Sequence, residues 1–326
     1  FTEVVVGCVT DPGGMMPIPL LNCIPVPADT APGSYNSGPE QIEAAITPLT
    51  SAIVVAHIFG EPADMPGILE VAKAHSLPVV EDCAQAHGAR LHGQALGTFG
   101  DVAAFSTMFG KHHCTGGQGG VVFTRNGDLL PMIRRAADRG KPFGLPAGSR
   151  NVLASLNLNL SEFAAAIGRE QLKKLPGIVE RLRRVVARIR AGLADVPGVA
   201  VPEPMPGAEP SYWKLRVEFR AEAMTCDKAT FCAALRAEGL TCVMDNYLAA
   251  MPHRQDWFVQ RRVFGTSGYP WTSPDYRGDA DRQFPCPNAM AAMERFFVLF
   301  CNESWRDGDT DDAVAILRKV EAGCRR

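Results

Sequence analysis

The chain has 326 residues, with 33 Lys and Arg against 35 Asp and Glu, for a formal net charge of −2. That length exceeds one small module and predicts two domains, or a large domain with a smaller companion. The near-neutral charge excludes a nucleic-acid or anionic-membrane footprint, and 46 % hydrophobic with 21 % charged residues excludes a disordered chain.

Val4-Val5-Val6 opens the chain as a strand. Glu40 to Ile46 has helical spacing, and Ser51 to Phe59 is a β-branched apolar run of strand length. A helix is predicted from Met65 to His75, with Pro66 near its start, where a missing N–H matters little. Leu77 to Val80 is a further buried strand leading into Glu81-Asp82-Cys83, and Asp101 to Ser106 and Gly120 to Thr124 are two more. Strands alternating with helices predict an α/β fold with a mostly parallel central sheet covered on both faces.

Ser161 to Leu193 reads as a long helix. Its arginines (181, 183, 184, 188 and 190) suit a solvated face, because no aromatics interleave them as RNA binding would require. The Pro-rich Val196 to Pro210 reads as a linker, dividing the chain into a large domain (1–195) and a small C-terminal domain (196–326). Beyond it, Trp213 to Phe219 is a predicted strand, and Asp227 to Glu238 and Asp311 to Ala322 are predicted helices. Gly265 to Pro287 is loop-rich and aromatic, suited to a substrate-facing surface or an interface. Within it, Tyr269, Trp271, Tyr276 and Arg277 are candidates for substrate contact or for packing.

No apolar run approaches the roughly 20 residues of a membrane helix, and no basic-then-apolar signal segment opens the chain. The ten cysteines form no CxxC pair, which predicts reduced thiols in a cytoplasmic protein. The chain begins with Phe1 inside a strand pattern, so an upstream segment is expected.

In open α/β sheets reactive groups collect beyond the carboxyl ends of strands. Asp82 stands there, as does Ser106, with Lys111 five residues later. A carboxylate, a hydroxyl and a lysine on neighbouring strand ends match what pyridoxal phosphate needs: a partner for its ring nitrogen, a phosphate contact and a Schiff-base amine. The adjacent His112 and His113, with Cys114, cannot readily face one ion, so no metal is expected. GGQGG lacks the Lys-Ser/Thr of a P-loop.

The run EDCAQAHGARLHGQALGTFGDVAAFSTMFGKHHCTGGQGGVVFT (Glu81 to Thr124) resembles the central signature of the DegT/DnrJ/EryC1/StrS family. These are fold-type-I pyridoxal-phosphate enzymes, best known as sugar and cyclitol aminotransferases. YNSGPEQIEAAITPLTSAIVVAHIFGEPADM upstream and SLNLNLSEFAAAIGREQLKKL downstream are similar to the same family in register. The resemblance implies Lys111 as the Schiff-base lysine and proton shuttle, and Asp82 as the pyridinium partner. It puts Ala84 against one face of the ring, Gln85 at its polar edge and Ser106 on the phosphate. It assigns Asn157 to the phosphate of a neighbouring subunit, hence a homodimer with shared active sites.

The chain departs from the family pattern in four places. The usual N-terminal segment with its Gly-Thr phosphate turn is missing. Asp11 stands where an aromatic lid is usual, Gln118 replaces a glutamate, and Asn159 replaces an arginine. The implied reaction moves an amino group from an amino acid, commonly glutamate or glutamine, to a keto-sugar, nucleotide-linked keto-sugar or keto-cyclitol. The alternatives are a same-family dehydratase, which generally carries histidine at the lysine position, and a catalytically inactive regulatory or assembly subunit.

Overall fold

The computed structural model describes residues 1–326, the side chain of Leu248 excepted. The β-branched runs of the first half form β1 (Glu3–Gly7), β2 (Ile24–Ala28), β3 (Thr50–Ala56) and β4 (Val79–Asp82). After the small β5 (Arg90–Leu91) and β6 (Gln94–Ala95) come β7 (Val102–Ser106) and β8 (Gly120–Phe123). The main sheet has the order β2-β1-β3-β4-β7-β8 and is parallel except for β8.

Strand side chains alternate between faces. On one face Val5, Ile53, Val55, Val79 and Ala103 pack against α3 (Pro39–Ala45) and α4 (Met65–Ala74), while on the other Val4 and Val6 meet the short α1 (Pro12–Met15) and α2 (Pro17–Leu20). The strand expected to run to Phe59 ends at Ala56. Asn36 Oδ1 takes the Ile58 N–H at 2.7 Å and Gln85 Oε1 takes that of Phe59 at 2.8 Å, so these donors leave the ladder. Phe59 then turns into the left-handed region at φ 59°.

The second half contributes α5 (Leu129–Ala137), α6 (Glu162–Gly192), β9 (Val199–Ala200), β10 (Ala208–Glu209) and β11 (Leu215–Phe219). It continues with α7 (Lys228–Ala237), β12 (Val243–Met244), α8 (Asp256–Val259), α9 (Pro287–Arg295), β13 (Phe296–Leu299) and α10 (Asp307–Cys324). An antiparallel sheet β12-β13-β11-β9 builds a second core with α6, α7 and α10, including Val186, Ile189, Phe231 and Leu317. Leu182, Val186 and Ile189 of α6 thus join the second core although they lie upstream of the Pro-rich segment.

One expectation for this half changes and two gain detail. The Pro-rich segment is not a free linker: β9 pairs with β11, β10 pairs with β5, and Val199 and Val201 are buried. The α6 arginines do form a solvated face, and several of them hold surface ion pairs there. Arg188 grips Asp311 through two 2.6 Å bonds, and Arg183 and Arg190 reach Glu209 and Glu203. Gly265 to Pro287 folds its aromatics inward: Trp271 and Tyr276 pack with Ile24, and the Tyr276 hydroxyl donates to Glu3 at 2.6 Å. Among the described residues, no helix is long and apolar enough to cross a membrane.

Candidate active site

The site grows from the alternation of the main sheet. Val4 of β1, Ala52, Val54 and Ala56 of β3, Val80 and Asp82 of β4, and Ala104 and Ser106 of β7 all line one cavity of about 800 Å³. Register places Asp82 beside both Ala56 and Ala104. The floor is therefore apolar for most of its length and acidic at the strand ends.

Asp82 accepts the Ala84 N–H on Oδ1 at 2.9 Å, whereas Oδ2 accepts no hydrogen bond among the described residues. Burial pushes its carboxyl above the usual aspartate range, although the Ala84 N–H and the Lys111 charge pull the other way. Gly14 is required beside it, because a Cβ there would lie 2.5 Å from Thr10 Oγ1 and 3.0 Å from Asp82 Oδ2.

Lys111 stands across the cavity on the loop that links β7 to β8. Thr107 and Thr115 tie that loop through a 3.0 Å hydroxyl contact, and the Lys111 N–H bonds to Met108 O. Burial lowers the Lys111 pKa, and the charges of Asp82 and Asp11 only partly oppose it. Its ammonium lies 3.7 Å from the centroid of the Trp213 ring, whose Nε1–H donates to Gly110 O at 2.8 Å. Lys214 shares that ring at 4.5 Å and also faces Phe59, Tyr247 and Phe300; burial pulls its pKa down to about 8.

The other expected residues divide. Ala84, Gln85 and Ser106 line the cavity together with Asp82 and Lys111. Gln85 has its carbonyl committed to Phe59 N–H, and Ser106 Oγ accepts the Met108 N–H at 3.3 Å. Asn157 does not line the cavity; it bridges Asp138 on an exposed stretch and accepts from Asn159 Nδ2 at 2.7 Å. Asp11 and Gln118 are on the cavity wall, and Asp11 caps α1 through Gly13. Of the late aromatics, Trp271 and Tyr276 line a separate cavity of about 400 Å³, and none lines the main one.

Sequence reasoning missed Trp213, Lys214 and His57. Trp213 was expected to begin a strand, but β11 starts at Leu215, because the Ser211 and Trp213 N–H groups bond to the carbonyls of Gly60 and Phe59, just past β3. That crossing turns the indole toward Lys111. His57, also on the cavity wall, accepts the Ala63 N–H on Nδ1, so its proton sits on Nε2 and is donated to Glu81 at 3.2 Å. His112 packs beside His87 with neither ring forming a hydrogen bond of ordinary geometry among the described residues, and burial holds their pKa values down to about 4 and about 3.

These features fit pyridoxal phosphate. A desolvated carboxylate with one free oxygen faces the cavity opposite a lysine amine, a small Ala84 leaves room for a flat ring, and Ser106 stands at the neighbouring strand end.

Residues 2–267 match the DegT/DnrJ/EryC1/StrS aminotransferase family. The chain is 32 % identical over 291 residues to an L-glutamine:2-deoxy-scyllo-inosose aminotransferase of Streptomyces lividus, covering 86 % of this chain and 66 % of that one. It is 32 % identical over 244 residues to a dTDP-4-dehydro-2,6-dideoxy-D-glucose 3-dehydratase of Saccharopolyspora spinosa, covering 68 % and 53 %. The chain thus spans about half to two thirds of the length of these curated relatives. Its fold matches the X-ray structure of an aminotransferase from Psychrobacter cryohalolentis with a TM-score of 0.85 at 25 % identity, over 99 % of this chain and 81 % of that one. On the profile match across residues 2–267 and this agreement of fold, the chain belongs to the DegT/DnrJ/EryC1/StrS aminotransferase family.

Proposed function

We propose that the chain is a pyridoxal-phosphate-dependent aminotransferase that moves an amino group from an amino acid, glutamate or glutamine, to a keto-sugar, nucleotide-linked keto-sugar or keto-cyclitol. The observation that carries this reading is the pairing of Asp82 and Lys111 across one cavity. When bound, pyridoxal phosphate supplies a carbonyl carbon that takes up the amine and a ring that withdraws electrons. Asp82 Oδ2 would accept the ring N–H and keep that nitrogen protonated. Burial lowers the Lys111 pKa, which raises the share of neutral amine available for attack and for carrying a proton. Ser106 would hold the phosphate, while Ala84 and Gln85 bound the ring.

The same reading includes a homodimer in which Asn157 serves the partner's phosphate. Its support is that the large apolar side chains flanking Asn157 in the chain, Leu156, Leu158 and Phe163, are exposed. We further read the protein as cytoplasmic, consistent with ten free thiols. Lys111 separates transfer from dehydration, since the dehydratases of the family generally carry histidine there.

The test is a visible spectrum with added pyridoxal phosphate beside Lys111→Ala. An absorption band that borohydride traps as a covalent adduct on Lys111, and that the variant lacks, is the expected result. Transfer of label from amino donor to its keto acid should follow, and folded protein showing neither refutes the proposal. Mixing Asn157→Ala with Lys111→Ala should restore part of the activity if the sites are shared. No recovery from a confirmed mixed dimer removes the shared site.

A further inference from the structure

Away from the cavity, three chemistry-bearing side chains meet at the start of α9, with a histidine beside one of them. Cys8 follows β1, Asp29 follows β2, and Cys286 is the N-cap residue of α9. The two sulfurs and one Asp29 carboxylate oxygen lie within 4.8 Å of one another. Both thiols are free and buried. His253 lies against Cys286. It is 6 % exposed, and neither of its ring nitrogens makes a hydrogen bond of ordinary geometry among the described residues.

Buried polar groups are normally paired, and His253 reaches only the Cys286 thiol, with no hydrogen bond of ordinary geometry at either nitrogen among the described residues, which leaves the cluster short of a partner. Asp29 is already aimed by N–H groups of Thr30, Asn288 and Ala289 at 2.8–2.9 Å, the outer support that metal-binding carboxylates generally have. The second acid, thiol and histidine cluster in the molecule, His57, Glu81 and Cys83, shows the contrast. There both histidine nitrogens are engaged and Glu81 accepts three backbone N–H groups, which leaves no free donor set.

We propose that Cys8, Cys286, His253 and Asp29 bind one divalent cation of the zinc class. Two sulfurs, a nitrogen and an oxygen suit a tetrahedral, thiophilic ion and not calcium or magnesium, which take oxygen ligands. Ligand atoms around such an ion stand about 3.7 Å apart, so the three atoms within 4.8 Å need close only slightly while the His253 ring turns inward. Both thiols lose their protons to solvent as the metal–sulfur bonds form. Four protein ligands leave no open position, so the ion is structural. It braces the segment after β1, which carries Asp11 and Gly14 of the cavity wall, against α9. His253 also lines the second cavity, which gives an ion a path in.

The test uses tag-free, reduced, chelator-treated full chain without pyridoxal phosphate, titrated with Co²⁺ as the probe. One equivalent should bind with thiolate-to-cobalt charge transfer in the near ultraviolet, tetrahedral visible bands and release of protons, and Zn²⁺ should displace it. Cys8→Ser and Cys286→Ser should each weaken binding by at least about 100-fold, more than the loss typical of an outer-shell change. His253→Gln, a milder change, should shift the visible bands, and a urea midpoint near wild type checks each fold. Saturation without sulfur charge transfer, or with unchanged charge transfer in folded Cys8→Ser and Cys286→Ser proteins, overturns the proposal. So does a wild-type protein that takes up no cobalt, whether or not peroxide then joins Cys8 to Cys286 as a disulfide.

Discussion

Glu81 and Asp82 are consecutive acids on one strand, and they do opposite things. Glu81 points to the helix-covered face, where it accepts N–H groups from Gly97, Phe99 and Gly100 at 2.7–2.8 Å and the His57 proton at 3.2 Å. Burial alone would raise its pKa, but His57 and these backbone donors prevail and lower it. Asp82 points into the cavity with a single backbone donor and a free oxygen, and its pKa is raised. A saturated buried charge holds the fold, whereas an under-satisfied one at a cavity is stored capacity for a ligand. A half-turn of strand pleat separates the two roles.

Five variants would break or sharpen that contrast. Lys111→Ala should reduce single-turnover amine transfer by at least about 10⁴-fold with little change in urea midpoint. Appreciable transfer in that variant would move the chemistry off the cavity face. Glu81→Ala strands His57 and three N–H groups, and it should destabilise by about 3–5 kcal/mol in urea unfolding. The wild-type contribution is present above the usual glutamate range and is lost as pH falls through the lowered folded pKa. Acid unfolding of Glu81→Gln should therefore lose part of its pH slope, and an unaltered slope would show the pair to be passive.

Asp82→Asn should cut transfer by about 100-fold while raising stability by about 1 kcal/mol, the trade expected of a strained functional group. Its pH effect has the opposite sign: with a raised folded pKa, the folded state takes up the proton first and recovers stability as pH falls toward the usual aspartate range. A less stable Asp82→Asn would place the residue with Glu81 as a structural acid. The smallest effect belongs to Trp213→Phe, which removes the bond to Gly110 O but keeps a ring beneath Lys111. It should lose about 1 kcal/mol or less with the pH profile of transfer nearly unmoved, and a displaced profile would give the indole N–H a part in tuning Lys111.

How much of this was legible in the residues varies by distance along the chain. The strand ends bearing Asp82 and Ser106, and the loop carrying Lys111, follow from β-branched runs and from turn chemistry within a few positions. The Pro-rich segment misled because its proline content signals a linker, whereas its buried valines and its pairing with β5 and β11 are long-range facts. Gly265 to Pro287 stayed open between contact and packing for a related reason: aromatic loops serve substrates and cores equally, and Tyr276 found its partner in Glu3, at the far end of the chain.

By itself, the sequence determined the alternating α/β order and put Asp82, Ser106 and Lys111 at or just past strand ends, because strand and turn preferences act over neighbouring positions, while the resemblance supplied their pairing as a site. Only the tertiary structure decided that Lys111 lies over the Trp213 ring, that Glu81 is saturated while Asp82 is not, and that Cys8 meets Cys286. Each depends on contacts between segments distant along the chain, set by how two cores dock and by no local preference.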